Sequence, residues 1–457
     1  MAGSVASDVA FLYRRAGFGL SPGQLDRLAP GGYEAAVEGL LAGLGPAADP
    51  TGDALPGPTF TAGPPPARRA GGAADPAAVK AHSRAVAADV ANLQRWWIDR
   101  MIVTSTPLRE KLALFWHGHF ATGVSKVRDA RLMYLQNQLF RSAGAGGFEP
   151  LMQAVAKDGA MMVWLDTSTD KKAHPNENFA REMMELFTLG IGNYTQDDVV
   201  SAARGFTGWS YDRAAYRYAF QARQHDYGTK TYLGQTGGWG GGDIVRIAVT
   251  RPESARFVLA ALWSHFAYPV QPTDAVVSDL AAAYGTGLDV TAALRAMFLH
   301  PAFRSSASRA GLVKQPVEYL VGAARALGLG ADGFRASGAG PAGAPPPKAA
   351  PRPLARLAAA LGQELFNPPN VGGWGQNGYW LSTDTAWLRL EAAFALASRA
   401  DLSGLEKSPP GQRPAALAAL LGIDGWGPTT SAALNGAAAE VVALTALALV
   451  SPEYVLA

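Results

Sequence analysis

The chain has 457 residues, of which 48% are apolar and 17% charged, with 40 basic residues against 37 acidic ones. This length and apolar content exclude disorder of the whole chain, and a net charge of +3 is too small to indicate nucleic-acid binding. The lack of cysteine excludes disulfides, zinc–thiolate sites, iron–sulfur clusters and cysteine nucleophiles.

The first residues carry no export signal. Arg14 and Arg15 are followed by AGFGLSP, which is not an apolar segment of signal-peptide length. The most apolar stretch near the C-terminus, VVALTALALV, is far shorter than a membrane span. The sequence therefore predicts no membrane span and, by default, a cytoplasmic location.

Helical periodicity dominates the rest of the chain. Pro/Gly/Ala-rich stretches at 46–77 and 336–353 are expected to be loops or linkers, and alternating aromatic residues with glycine breaks predict strands only around 210–250. We predict a mainly α fold over 1–457, built as one large multi-helix unit with a small β-hairpin excursion and long Pro/Gly-rich loops.

The segment FWHGHFATG places His117 and His119 on either side of a glycine. On a continuous helix these two side chains would point roughly 200° apart. If Gly118 ended the helix in a left-handed turn, both imidazoles could converge on one metal ion or substrate. The alternative is that both histidines satisfy the last carbonyl groups of the helix.

The segment PNENFAREMMELFTLG carries Asn178, Arg181, Glu182 and Glu185 within about 100° of a helix circumference. Arg181 is suited to binding an anion, and Glu182 to acid–base chemistry or to binding a metal. The alternative is a solvated face with local Arg–Glu pairs.

Weaker candidates follow. His225 and Asp226 lie on an apparent hairpin turn, where turn chemistry alone explains Asp and Gly. The acidic residues of LDTSTDKK lack the spacing of a calcium loop. No nucleotide-binding signature is present, and no cofactor-binding residue is predicted.

Several stretches together resemble the bacterial family called domain of unknown function 1800. They include FLYRRAGFG, TPLREKLALFWHGHFATG, PNENFAREMMELFTLGIGNYTQDDVVSAARGFTGW, HDYGTKTYLG, LVKQPVEYLVG and LFNPPNVGGWGQNGYW, and they span nearly the whole chain. The resemblance implies a largely helical protein whose activity is not established. It groups these positions: His117, His119, Asn176, Glu177, Asn178, Arg181, Glu182, His225, Asp226, Lys230, Asn370 and Trp374.

Genes of this family often lie beside those of domain of unknown function 1501, which resembles sulfatases. The resemblance therefore implies a sulfatase-like partner, with which the protein could be exported. Gly118, where the family often has Asn, and LDTSTD, in place of a more Asn-rich loop, depart from the family pattern.

We expect a polar cleft lined by His117, His119, Asn178, Arg181 and Glu182. One reading is a hydrolase or lyase that acts on a polyhydroxylated or anionic substrate by acid–base or metal-assisted chemistry. Any divalent metal would be held by His117, His119 and Glu182. The alternatives are a non-catalytic accessory protein for the sulfatase-like partner, and a structural network of these side chains.

Overall fold

The computed structural model describes residues 4–45, 49–66, 74–331 and 353–456. It is mainly α-helical, with two small antiparallel two-stranded sheets, which confirms the predicted fold class. Within the described residues, no helix is long and apolar enough to cross a membrane.

The helices up to the sheets are α1 (Val5–Ala16), α2 (Gln24–Leu28), α3 (Gly32–Ala42), α4 (Pro76–Val103), α5 (Pro107–His119), α6 (Val124–Val127), α7 (Ala130–Ala143), α8 (Phe148–Ala156), α9 (Gly159–Trp164), α10 (Glu177–Glu182), the π-helix Met183–Thr188, and α11 (Gln196–Phe206). The helices after the sheets are α12 (Gly241–Val249), α13 (Pro252–Phe266), α14 (Ala275–Tyr284), α15 (Val290–Leu299), α16 (Ser306–Arg309), α17 (Pro316–Ala326), α18 (Leu354–Ala360), α19 (Thr383–Ala397), α20 (Ser403–Glu406), α21 (Arg413–Leu421), α22 (Pro428–Gly436), α23 (Val441–Leu449) and α24 (Pro452–Val455). Short 3₁₀ turns lie at Ala29–Gly31, Thr167–Thr169, Ala222–Gln224, Pro301–Arg304, Asn377–Trp380 and Pro410–Gln412.

The strands form two separate hairpins. Strand β1 (Trp209–Asp212) pairs with β2 (Arg217–Phe220), and β3 (Lys230–Tyr232) pairs with β4 (Gln235–Gly237). The predicted strand region is therefore too long, because 241–249 is helix α12. The β-branched residues of this segment favour a strand. The helix forms instead because the Asp243 carboxylate accepts from the N-cap Gly240 N–H and because the helix packs on α8 and α11.

One contiguous apolar core runs from α1 to α24, with Trp97, Trp116 and Trp263 fully buried in it. Helix α5 crosses this core, packing against α7 and α1. The continuity of the core supports the proposal that the chain forms one domain.

Charged side chains also cross-link the core around α5. The Glu110 carboxylate accepts from Arg100 and Arg141 at 2.7 Å each, and from the Trp97 indole at 2.9 Å. Burial alone would raise the pKa of Glu110, but the two guanidiniums reverse this effect and hold it below its usual value.

The first predicted loop is described only in part, since 46–48 and 67–73 lie outside the described residues. Residues 49–66 contain no helix or strand, and Asp49 anchors them to the start of α5 through Thr104 and Ser105. Helix α4 begins at Pro76, inside the predicted loop. The second loop, 336–353, lies outside the described residues except for Pro353, the N-cap of α18.

Candidate functional site: a cationic cleft

His117 is a buried structural contact. Its Nε2 accepts a hydrogen bond from the Phe366 backbone N–H at 2.9 Å, and its ring packs on Trp97 and Trp374. Burial lowers the pKa of His117 to about 3, so the imidazole is neutral and carries its proton on Nδ1.

His119 lies on another side of the same helix. Its Nε2 lies 3.0 Å from the Phe187 carbonyl oxygen and donates to it, and burial lowers its pKa to about 4. Gly118 is inside α5 and does not have a positive φ. The alternative in which Gly118 forms a left-handed turn is therefore wrong, and the two imidazoles contact different partners.

The polar stripe is divided between local networks. Asn178 is exposed and its Nδ2 lies 3.5 Å from Asp166 Oδ2, while Arg181 donates to Glu177 at 2.9 Å and to Gln196. The stripe does not continue as one row, because α10 passes into the π-helix at Met183 and the residues per turn change.

Glu182 is the stripe residue with a perturbed ionisation. Burial raises its pKa, and repulsion from Glu185, which accepts from the Tyr194 hydroxyl at 2.9 Å, raises it further. No hydrogen bond or ion pair among the described residues joins Glu182 to either histidine, although the Phe187 carbonyl of the π-helix bonds His119 of α5. The cleft expected between all five side chains therefore remains a prediction.

The hairpin candidates hold their own turn. His225 Nδ1 bonds the Thr207 carbonyl at 2.7 Å, Asp226 pairs with Arg204 at 2.7 Å, and Lys230 donates to the carbonyls of Asp226 and Gly228. The hydrogen bond from Arg204 is the main reason that the pKa of Asp226 lies below its usual value. His225 and Asp226 therefore bond different partners and do not form a His–Asp dyad. Of the remaining family positions, Asn370 is exposed and its side chain caps Gly372.

Within the described residues, no group of three or more His, Asp or Glu side chains is arranged to hold a metal ion. His117, His119 and Glu182 therefore do not form the expected ligand set, since each histidine Nε2 already bonds the backbone of a different loop or helix.

A large open cleft lies elsewhere, with a volume of about 1120 Å³. Its described lining comes from residues 65–66, from residue 74 and α4, and from the segment 124–128, together with Arg213, Glu364 and Asn367. Valine side chains of α4 and of the segment 124–128 give it an apolar surface, and its charged or titratable lining residues are His82, Lys126, Arg128, Arg213 and Glu364.

His117 bonds a backbone turn that adjoins this cleft. The Phe366 backbone, whose N–H it accepts, is left-handed with φ of 64°, and the Phe366 carbonyl accepts from the Val124 N–H at 2.8 Å. Residues 364 and 367 flank Phe366 and face the cleft, where the Glu364 carboxylate accepts from Asn367 at 2.9 Å. His117 thus positions the part of the lining that carries the acidic group.

Asn178 reaches the cleft through two further side chains. Lys126, which lines the cleft, donates to Asp166 at 2.8 Å and to the Trp164 carbonyl at 2.6 Å. Asp166 in turn faces Asn178. These contacts orient the Lys126 ammonium.

Some of the described non-glycine residues with positive φ lie in or beside the cleft. Arg128 (φ 52°) lines it, and Phe366, Asp166 (φ 61°) and Tyr216 (φ 50°) belong to segments next to it, whereas Leu233, Leu288 and Asn377 do not. The Tyr216 hydroxyl donates to Asp129 at 3.1 Å, which fixes the hairpin that carries Arg213. The size of the cleft and its basic lining make it the candidate functional site.

The described portion of the chain is thus a mainly α-helical protein with a cation-lined cleft supported by buried polar contacts. The chain belongs to the family described as "Protein of unknown function (DUF1800)", whose family model matches residues 11–456. A comparison with the curated proteins found no match, and neither did a comparison with the solved structures.

Proposed function

We propose that the protein binds a hydroxyl-rich anionic ligand in the cleft between α4 and the segment 124–128. The observation that carries the proposal is the charge of the lining, since its described residues include Lys126, Arg128 and Arg213 but only one carboxylate, that of Glu364. This keeps the substrate class expected from the sequence and changes the residues that would bind it.

Arg128 and Arg213 are the better anion ligands. The Lys126 ammonium already forms an ion pair with Asp166. Neither arginine forms an ion pair with a described carboxylate. Guanidinium groups bind carboxylate, sulfate and phosphate oxygens in a bidentate manner. Ser83, Gln94 and Asn367 offer hydrogen-bonding groups for hydroxyls, beside the apolar wall of α4.

Hydrolase or lyase chemistry in this cleft would use Glu364 as the base. Its carboxylate accepts from Asn367 and, at 3.5 Å, from Gln94, and these contacts hold it at the cleft surface. His82 lines the same cleft and adds an imidazole to it.

Thermal unfolding with paired probes tests the binding proposal. We expect trigalacturonate to raise the unfolding temperature and its methyl ester, which keeps the hydroxyls but removes the charge, to have little effect. Arg213→Met should abolish the difference, while Arg27→Met, an exposed residue outside the cleft, should preserve it. Equal responses to the acid and the ester would contradict the proposal.

A second candidate is the accessory role beside a sulfatase-like partner. The observation that favours it is an exposed apolar face on α19, where Trp387 is 63% and Phe394 40% exposed, preceded by exposed Tyr379 and Leu381. Residues 387 and 394 are two helical turns apart and so lie on one face.

Co-sedimentation with a purified sulfatase-like protein of the domain of unknown function 1501 family tests this second candidate. A complex that is lost in Trp387→Ser but kept in Val200→Ser, another exposed apolar position, would support it. Independent sedimentation of the two wild-type proteins would exclude it.

A further inference from the structure

A second cationic cluster is buried far from the cleft, where α1, α5, α17 and α24 meet. Arg15, Lys111 and Lys314 interact electrostatically with the Glu318 carboxylate, and Arg14 lies beside Lys314. Glu318 is already engaged, since one oxygen lies 2.5 Å from the Lys111 ammonium and the other accepts from the Gln315 N–H. The cluster therefore holds a large excess of positive charge.

Several donors in this cluster have no acceptor among the described residues. They are Nε and Nη1 of Arg14 and Nε of Arg15, all buried. Lys314 is only 5% exposed, and its ammonium lies 3.4 Å from the centre of the Tyr454 ring. Buried donors normally have a partner, and leaving one unmatched costs about 1–3 kcal/mol.

The neighbouring acidic residues compensate only part of this charge. Asp424, which is half exposed, interacts with Arg14 but pairs with Arg309, and Asp8 pairs with Arg304 and Arg309. His265 lies 4.0 Å from Glu318, and burial lowers its pKa to about 3, so it is neutral and adds no positive charge.

A small cavity opens at this position. It has a volume of about 10 Å³ and is lined by Arg14, Lys314, Glu318 and Tyr454 together with small and apolar residues. This volume suits one particle of about the size of a water molecule. We propose that the cavity is a binding site for a monatomic anion of halide size, which accepts from Arg14 and Lys314 and compensates the cluster.

The alternative occupant is water beside a neutral Lys314. Burial, followed by the repulsion of Arg14, lowers the pKa of the Lys314 ammonium well below its usual value, so deprotonation is the other way to remove the excess charge. The two occupants differ in whether chloride stabilises the protein, which makes them distinguishable by experiment.

The test is thermal unfolding of the full chain in sodium chloride and in sodium methanesulfonate at equal ionic strength. At about one hundred times the dissociation constant, chloride should raise the unfolding temperature by about 3 °C relative to methanesulfonate, whose anion is larger than the cavity and carries no hydroxyl groups. Lys314→Met should lose this response, and Lys407→Met, an exposed lysine outside the cluster, should keep it. Equal unfolding temperatures in the two salts would overturn the proposal.

Diffraction from wild-type crystals soaked in bromide gives an independent readout that does not depend on a variant folding. We expect an anomalous peak in the cavity, within contact of Arg14 and Lys314. A water in the cavity, or bromide on surface residues only, would overturn the proposal whatever the stability measurements show. The Lys314→Met comparison and the position of the bromide peak assign the effect to this cavity and not to the cleft, so failure here leaves the proposed function standing.

Discussion

His117 acts at the scale of one residue through the backbone that it contacts. Its neutral ring accepts the Phe366 N–H, and that contact holds the left-handed turn beside Glu364 and Asn367, which line the cleft. We infer that His117 is a positioning residue for this part of the lining.

The ionisation of His117 leads to a prediction. Its pKa is about 3 when folded and 6.5 in the unfolded chain, so the unfolded state takes up the proton and stability is lost as pH falls below 6.5. Relative to His117→Gln, the wild type should lose about 2 kcal/mol between pH 7.5 and pH 5.0.

Urea unfolding of both proteins at the two pH values measures this loss. Asp158 and Asp170, whose pKa burial raises to about 6 and about 7, affect both proteins alike and cancel in the comparison. A difference in unfolding free energy that does not change with pH would contradict the buried neutral imidazole.

Arg181, unlike the buried His117, lies at the surface. Its ion pair with Glu177 is an i,i+4 surface pair, with both side chains more than one third exposed. We predict that Arg181→Ala changes the free energy of unfolding by less than about 0.5 kcal/mol. The same variant should leave trigalacturonate affinity unchanged in a titration, and a tenfold loss would restore Arg181 as an anion ligand.

At the scale of elements, α5 is held in the core by its acidic residue. Glu110→Gln leaves Arg100 and Arg141 buried without their shared carboxylate, and we predict a loss of about 3–5 kcal/mol in unfolding free energy. Chemical denaturation measures the loss, with the exposed Glu34→Gln as the matched control. A change below 1 kcal/mol, or one equal to the control, would show that the network is dispensable.

The loop 367–376 meets the C-terminal turn of α5 at Gly373. Its φ is 79°, and a Cβ there would lie 2.3 Å from the Gly118 carbonyl oxygen. Gly373→Ala should therefore destabilise the protein by more than 1 kcal/mol and weaken ligand binding, since the loop supports the cleft.

Gly378→Ala is the control for this prediction, because a Cβ at that position meets nothing within 4 Å. Thermal unfolding and titration of both variants give the comparison. Equal behaviour of the two variants would mean that the close approach of the loop to α5 is unimportant.

Local rules predicted many elements well. The capping box of Thr195 and Asp198 is present, because both hydrogen bonds connect residues three apart and depend on no distant partner. The π-helix at Met183–Thr188 could not be predicted in this way. Its Thr188 hydroxyl bonds the Met183 carbonyl, and its end is bound by His119 from another helix.

At the scale of the whole molecule, the cleft combines segments that are far apart in the chain. Arg213 comes from the first hairpin, Lys126 and Arg128 from the segment after the two histidines, and Glu364 from a turn more than one hundred residues further along. A single sequence holds no signal for such long-range proximity. The local trace of the cleft is the pair of basic residues in VSKVR, which does not by itself distinguish a ligand site from a solvated surface.

The central claim is that the cleft selects anionic ligands through its arginines. The direct measurement is calorimetric titration of trigalacturonate and its methyl ester into the wild type and into the Arg128→Met, Arg213→Met double variant. We predict that the wild type binds the acid at least about tenfold more tightly than the ester, and that the double variant binds the two alike. Equal preference for the acid in both proteins, or no binding of the acid to the wild type, would contradict the account.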